Sequence, residues 1–222
     1  MNFVFFSPQK GLPESEVCVM SPAEVGGFRS EEYLAISPQG KVPALKCQTT
    51  GLTISESDTV SRYLLSAYES QSPSFQPDNP ISNMIARFHD VYLTPIQSCL
   101  YKATPPFGTF GIRKDALAEY SKQLYKIADL MDGSGPYMCG DEVSLADASV
   151  FPSIVFASHM FPKFDAGIDN PIPPKIESWY QKMIGTDPAF NKVYSEVSVK
   201  GENRRKDDFV CQQVYFVDFF CF

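Results

Sequence analysis

Ser57 brings a hydroxyl, and Glu56 and Asp58 bring carboxylates, to the point where a short apolar run, Leu52-Thr53-Ile54, passes into helical spacing. From Asp58 to Tyr68, Val60, Tyr63, Leu64 and Ala67 fall on one face, so a helix follows that strand directly. At a helix start the first N–H groups have no partner within the helix and the dipole is positive, which suits a carboxylate ligand. The Ser57 hydroxyl can donate to that carboxylate, while Glu56 or Asp58 meets an amino group beside it. An ordinary capping box, Ser55 followed three residues on by Asp58, accounts for the same residues without a ligand. Upstream lies Ser37-Pro38-Gln39-Gly40-Lys41-Val42-Pro43-Ala44-Leu45, where Pro43 opens an apolar strand after a glycine-containing turn, a setting that suits a cis Val42–Pro43 bond. Proline has no N–H, so the edge at Val42 keeps its own N–H and C=O turned outward, and an extended peptide can pair there as an added strand. Taken alone, a plain turn entering an edge strand explains that segment as well. Together the two segments describe a site for a small peptide with a γ-glutamyl end.

The chain that must position these groups has 222 residues, enough for one large or two small domains with a buried core. Lys and Arg number 19 against 26 Asp and Glu, a net charge of −7, which excludes a general attraction to nucleic acid phosphates or anionic lipid. Any anion must be held by a local site. Six scattered cysteines with no C-x-x-C pair, and only His89 and His159 as histidines, exclude structural zinc and a dithiol redox motif. Such cysteines read as thiols in a reducing compartment, and a cytoplasmic location is expected. No secretion signal and no membrane span is expected, because no apolar run approaches the ~18 residues a span needs.

The texture changes along the sequence. From Phe3 to Leu45, short apolar runs (Phe3–Phe6, Val17–Met20, Val42–Leu45) separated by Gly and Pro read as strands with turns, making a mixed α/β domain over residues 1–69. Residues 70–80, rich in Pro and Ser, read as a linker. Beyond it the period is 3.6. A helix from Ile81 to Tyr101 is expected to bury Ile81, Met84, Ile85, Phe88 and Tyr92, and one from Ile112 to Met131 to bury Ile112, Leu117, Leu124, Ile127 and Met131. Helices over Leu145–Met160 and Lys175–Ile184, the latter with Ile176, Trp179, Tyr180 and Met183 inward, and one beginning at Asp187-Pro188 complete an all-helical domain over 81–200. Residues 201–222 form a tail, aromatic from Phe209 onward, that is read as an accessory without a catalytic role.

The Ser37–Leu45 segment followed by Ile54-Ser55-Glu56-Ser57-Asp58 and a helix resembles the glutathione-binding half of the cytosolic glutathione transferase superfamily. Tyr137-Met138-Cys139-Gly140-Asp141-Glu142-Val143-Ser144-Leu145-Ala146-Asp147 is similar to that family's start of its central helix, with Ser144 and Asp147 as an S-x-x-D capping box, and Asp187-Pro188-Ala189-Phe190 is similar to its last shared helix. The likeness runs from about Gly11 to Val199 and implies a thioredoxin-like α/β domain followed by an all-α helical bundle. It implies that Val42 pairs with the cysteinyl backbone of glutathione next to a cis Pro43, that Lys41 lies near the glycine carboxylate, and that Glu56 and Ser57 hold the γ-glutamyl end. Glutathione would be the co-substrate, with no metal.

The family activates the glutathione thiol through a Tyr, Ser or Cys just after the first strand, at the start of the first helix, because the thiolate is the nucleophile. Here Phe3-Val4-Phe5-Phe6 is expected as that strand and Ser7 as the catalytic residue, with Cys18 a weaker candidate. Only Gln9 and Lys10 separate Pro8 from Gly11-Leu12-Pro13, which resembles the loop after that helix, and a helix of ~11 residues does not fit. The first helix is therefore expected to be missing. Three explanations stand: the chain lacks an exon of the family sequence, it is a variant that has given up catalysis, or its aromatic start packs differently and still supplies Ser7. The resemblance implies conjugation of glutathione to a small apolar electrophile bound over His89, Tyr92, Phe107 and Phe110, with peroxide reduction as a side activity, in a homodimer. The alternative is a catalytically silent transferase-like interaction module, as in a translation elongation factor subunit.

Overall fold

A computed structural model describes residues 20–70, 74–164 and 167–202. These separate into two compact units, one of residues up to 70 and one beginning at Ser74. In the first unit two strands, β1 (Ala44–Lys46) and β2 (Thr53–Ser55), pair antiparallel with Ala44 opposite Ser55, Leu45 opposite Ile54 and Lys46 opposite Thr53. Alternation along β1 sends successive side chains to opposite faces, and both faces are covered. Leu45 packs with Cys47, Val60 and Leu64, the latter two on the helix that follows β2; Ala44 packs with Tyr33 and Ile36. That layering requires helix on both sides of the strands.

The stretch read from sequence as strands with turns holds, from Pro22 on, a 3₁₀ turn (Pro22–Val25) and a short helix α1 (Glu31–Leu34). Their start signals are local. Ser21 and Glu24 form a capping box with proline at the first helical position, and Ser30 Oγ accepts the Tyr33 N–H at 3.1 Å. Of the expected strand Val17–Met20 only Met20 lies within the described residues, and it is irregular; Phe3–Phe6 lies outside them. Helix α2 (Ser57–Ala67) follows β2 after one residue.

The second unit is helical. Ser74–Asn79, within the segment read as linker, packs onto it: Phe75 is fully buried and its carbonyl accepts the Leu145 N–H at 3.0 Å. Helix α3 (Pro80–Phe88) is capped by Asn79, whose Oδ1 accepts from Ile81 and Ser82. The helix expected through Tyr101 changes pitch instead, widening to a π turn over His89–Leu93 and tightening to a 3₁₀ turn over Thr94–Leu100. Pro95 explains the change, because it cannot donate to the ladder and the Thr94 N–H reaches back five residues to the His89 carbonyl.

The buried face of α3 also differs from expectation. Ser82, Ile85, Ala86, His89 and Leu93 are interior, whereas Ile81, Met84 and Tyr92 are 42%, 42% and 53% exposed. Small Ser82 and Ala86 let the helix approach the central helix α5 (Leu145–Met160), where Ser82 Oγ accepts the Ala146 N–H at 3.1 Å. Helix α4 (Arg113–Leu130) buries Leu117, Leu124 and Ile127 as its spacing predicts, but Ile112 lies just outside it, 62% exposed.

Helix α5 is apolar almost all round, with every residue from Leu145 to Val155 buried, so the unit is built about it. Helix α6 (Pro174–Thr186) buries Ile176, Trp179, Tyr180 and Met183, and α7 (Pro188–Glu202) buries Phe190 and Val193. Phe151 meets Trp179, Tyr180 and Phe190 at ring separations of 5.8, 5.6 and 4.7 Å, joining the three helices. Among the described residues no helix is long and apolar enough to cross a membrane.

Candidate functional site

The loop into β1 is clamped from within the first unit. Tyr33 Oη and Ser37 Oγ both donate to the Lys41 carbonyl, at 2.7 and 2.8 Å, and the Lys41 N–H donates back to Ser37 Oγ at 3.3 Å. Gly40 turns with φ +60°, where a Cβ would stand 2.7 Å from the Phe28 carbonyl oxygen, so only glycine fits. Past this clamp the Val42–Pro43 bond is cis. Val42 and Pro43 are half-buried and Lys41 is exposed. Among the described residues none takes up the Val42 N–H or C=O, so an edge with one donor and one acceptor is presented ahead of β1.

Tyr33 and Ser37 were not among the residues singled out from sequence. Ser37 heads the glycine-proline segment and could have been found as a local hydroxyl acting on its own turn. Nothing in sequence marks Tyr33, eight residues away. Burial pushes the Tyr33 phenol above its ordinary range, which keeps it a donor. Because Ser37 Oγ serves the same carbonyl, Tyr33→Phe orphans no acceptor and is expected to cost only about 1 kcal/mol, read as a lower urea midpoint at unchanged slope.

At the start of α2, Glu56 is the N-cap residue, exposed, with φ 75° and ψ 123° and no capping bond from its side chain. Such a backbone in a residue other than glycine costs on the order of 1–3 kcal/mol and gathers at functional sites. The capping box of Ser55 and Asp58 is not formed: Ser55 belongs to β2, and Asp58 pairs with Arg62 Nε at 2.9 Å. Ser57 is the first helical residue, half-buried, and its hydroxyl makes no hydrogen bond among the described residues. The free N–H groups of this turn, the Ser57 hydroxyl and the Glu56 carboxylate lie together on one short stretch, able to take an anion and a cation side by side.

The four aromatic and imidazole positions expected for a second ligand do not form one surface. His89 is buried between helices, Nε2 2.8 Å from Ser153 Oγ and Nδ1 3.2 Å from Asp90 Oδ1. Phe107 is buried too, with the Arg113 guanidinium 4.4 Å over its ring and 4.5 Å from that of Phe164. Phe110 is half-buried and closes a turn with Phe107 through two backbone hydrogen bonds, while Tyr92 is exposed and packs tilted against Phe88, ring centroids 4.7 Å apart. Ser7 and Cys18 lie outside the described residues, as does the place of the expected missing helix. Among the described residues no three His, Cys, Asp or Glu gather where they could hold a metal ion.

Comparison with known proteins agrees with this geometry. A family model described as glutathione S-transferase, N-terminal domain, matches residues 9–73. The glutathione S-transferase-like protein gedE of Aspergillus terreus is 26% identical over 193 residues, 79% of this chain and 83% of its own length. Glutathione S-transferase 3 of Zea mays is 26% identical over 182 residues, 78% of each chain. Among solved structures, a delta-class glutathione transferase of Nilaparvata lugens superposes with a TM-score of 0.68 at 21% identity, over 90% of this chain and 91% of that one. Gtt2 of Saccharomyces cerevisiae superposes with a TM-score of 0.65 at 20% identity, over 86% and 93%. The first domain thus matches the glutathione S-transferase N-terminal family model, the relatives span both domains, and the fold is that of the cytosolic glutathione transferases, a thioredoxin-like domain followed by an all-helical one.

Proposed function

We propose that the protein is a glutathione transferase that conjugates the glutathione thiolate to small apolar electrophiles. The observation that carries this reading is the pairing, in one unit, of the open edge at cis Val42–Pro43 with the strained Glu56 at the start of α2. In this reading the Val42 N–H and C=O pair with the cysteinyl backbone of glutathione, and Lys41 attracts its glycine carboxylate. Ser57 and the first N–H groups of α2 take the γ-glutamyl carboxylate, and Glu56 takes the ammonium beside it. Ser7 is the thiol-activating group in this reading, and the co-substrate is a small apolar electrophile. The buried free thiols of Cys99 and Cys139 support a reducing compartment such as the cytoplasm. Retention on a glutathione resin together with conjugation of glutathione to an aryl halide tests the proposal in one preparation. Retention without turnover would turn it into an interaction module.

The same proposal includes a homodimer. Ile81, Met84, Val91 and Tyr92 leave an apolar stripe along α3 and its π turn, between 41% and 53% exposed. Sedimentation at micromolar concentration is expected to show twice the mass of the chain, and Met84→Asp to shift it to the single chain by placing a charge in the stripe. A single-chain mass for the unsubstituted protein would sink the idea.

A further inference from the structure

The first turn of α2 carries more negative charge than a zwitterionic ligand end calls for. A γ-glutamyl end has one carboxylate and one ammonium, and one protein carboxylate is enough for the ammonium. Glu56 and Asp58 provide two, flanking Ser57. A second uncompensated carboxylate there would oppose the anion that the helix end attracts. The fold does not leave it uncompensated. Arg62 stands four residues on, on the same helix face, with Nε 2.9 Å from Asp58 Oδ2. Glu56 is in no ion pair among the described residues, and its side chain is left to a ligand.

We infer that Arg62 cancels Asp58 and leaves Glu56 as the one acid of the site, so that the Asp58–Arg62 pair sets how strongly the protein prefers a zwitterionic ligand end over a purely anionic one. This rests on the proposed placement of the γ-glutamyl end at Ser57. The two side chains are 40% and 45% exposed, so the pair contributes little to folding and its removal leaves the helix in place. A ligand end that is zwitterionic feels a change in net site charge weakly, because attraction at one group offsets repulsion at the other. An end that is only a carboxylate feels it in full.

The test is calorimetric titration with glutathione and with glutaryl-cysteinylglycine, which lacks only the amino group. Arg62→Gln unmasks Asp58 and is expected to raise the preference for glutathione roughly two- to fivefold, the size of one unit charge acting over roughly 4–10 Å in a water-like dielectric. Asp58→Asn removes one negative charge beside Ser57 and is expected to lower the preference by a similar factor. The double variant is expected to return to the starting ratio, and all differences to shrink at ~0.5 M salt, where screening acts within several ångströms. A merely structural pair would lower both affinities together and leave the ratio still. One unchanged ratio in all four proteins, with glutathione bound, overturns the inference alone; no binding of glutathione by the unsubstituted protein overturns the placement beneath it as well.

Discussion

Ser57→Ala is expected to weaken glutathione binding about ten- to a hundredfold while leaving the fold almost untouched. A hydrogen bond to a charged ligand group is worth about 1.5–3 kcal/mol, and about 1.4 kcal/mol is a factor of ten in affinity. Whether that loss falls on binding or on folding depends on what the hydroxyl does without a ligand. Were Ser57 the cap of α2, alanine would cost about 1 kcal/mol of stability with affinity unchanged. The structure makes Glu56 the N-cap and leaves the Ser57 hydroxyl half-buried without a hydrogen bond among the described residues. Titration with glutathione beside urea melts of both proteins separates the two roles. A stability loss near 1 kcal/mol with full affinity would return Ser57 to a cap. No heat at millimolar glutathione in the unsubstituted protein would instead remove the transferase reading.

What could be read from sequence here was whatever is encoded within a few residues. The passage from Thr53–Ser55 into α2, the cis-forming Val42–Pro43, and the Ser144–Asp147 box at the head of α5 are all local signals, and all are present. The inward face of α6 was legible because one strong 3.6-residue stripe, Ile176 to Met183, has no rival. On α3 two faces competed. The more hydrophobic one, Ile81, Met84 and Tyr92, is outside, and the one with small residues, Ser82 and Ala86, is inside. A hydrophobic count favours the first, but close approach to α5 needs the second, and that requirement belongs to a helix more than fifty residues away. The Tyr33 clamp on the Lys41 carbonyl was hidden for the same reason: the phenol's partner is a backbone atom, which no side-chain pattern announces.

Asp147→Ala is expected to be the most damaging substitution to stability, about 3–5 kcal/mol at neutral pH. The Asp147 carboxylate is fully buried and accepts four hydrogen bonds: from the Met138 and Ser144 N–H groups, each at 2.9 Å, from Ser144 Oγ at 2.7 Å, and from Trp179 Nε1 at 3.2 Å. It thus joins the loop before α5, the α5 cap and α6. Alanine leaves two backbone N–H groups and an indole N–H in the core without acceptors, at about 1–3 kcal/mol each, less what water entering the gap recovers. Asparagine is no rescue, because its NH₂ must face one of these donors. The pH dependence gives the network a signature. Burial pushes the Asp147 carboxyl up to about 6 from 3.8, against the pull of its hydrogen bonds. Between those values the folded chain binds this proton more tightly than the unfolded one. The stability it contributes is therefore full below about pH 4 and is lost as pH rises through about 6. The gap between the parent and Asp147→Ala in urea melts should accordingly be wider at pH 5 than at pH 7.5. Equal gaps at the two values would show that the carboxyl is not raised in the core, and that hydrogen bonding there at least balances burial.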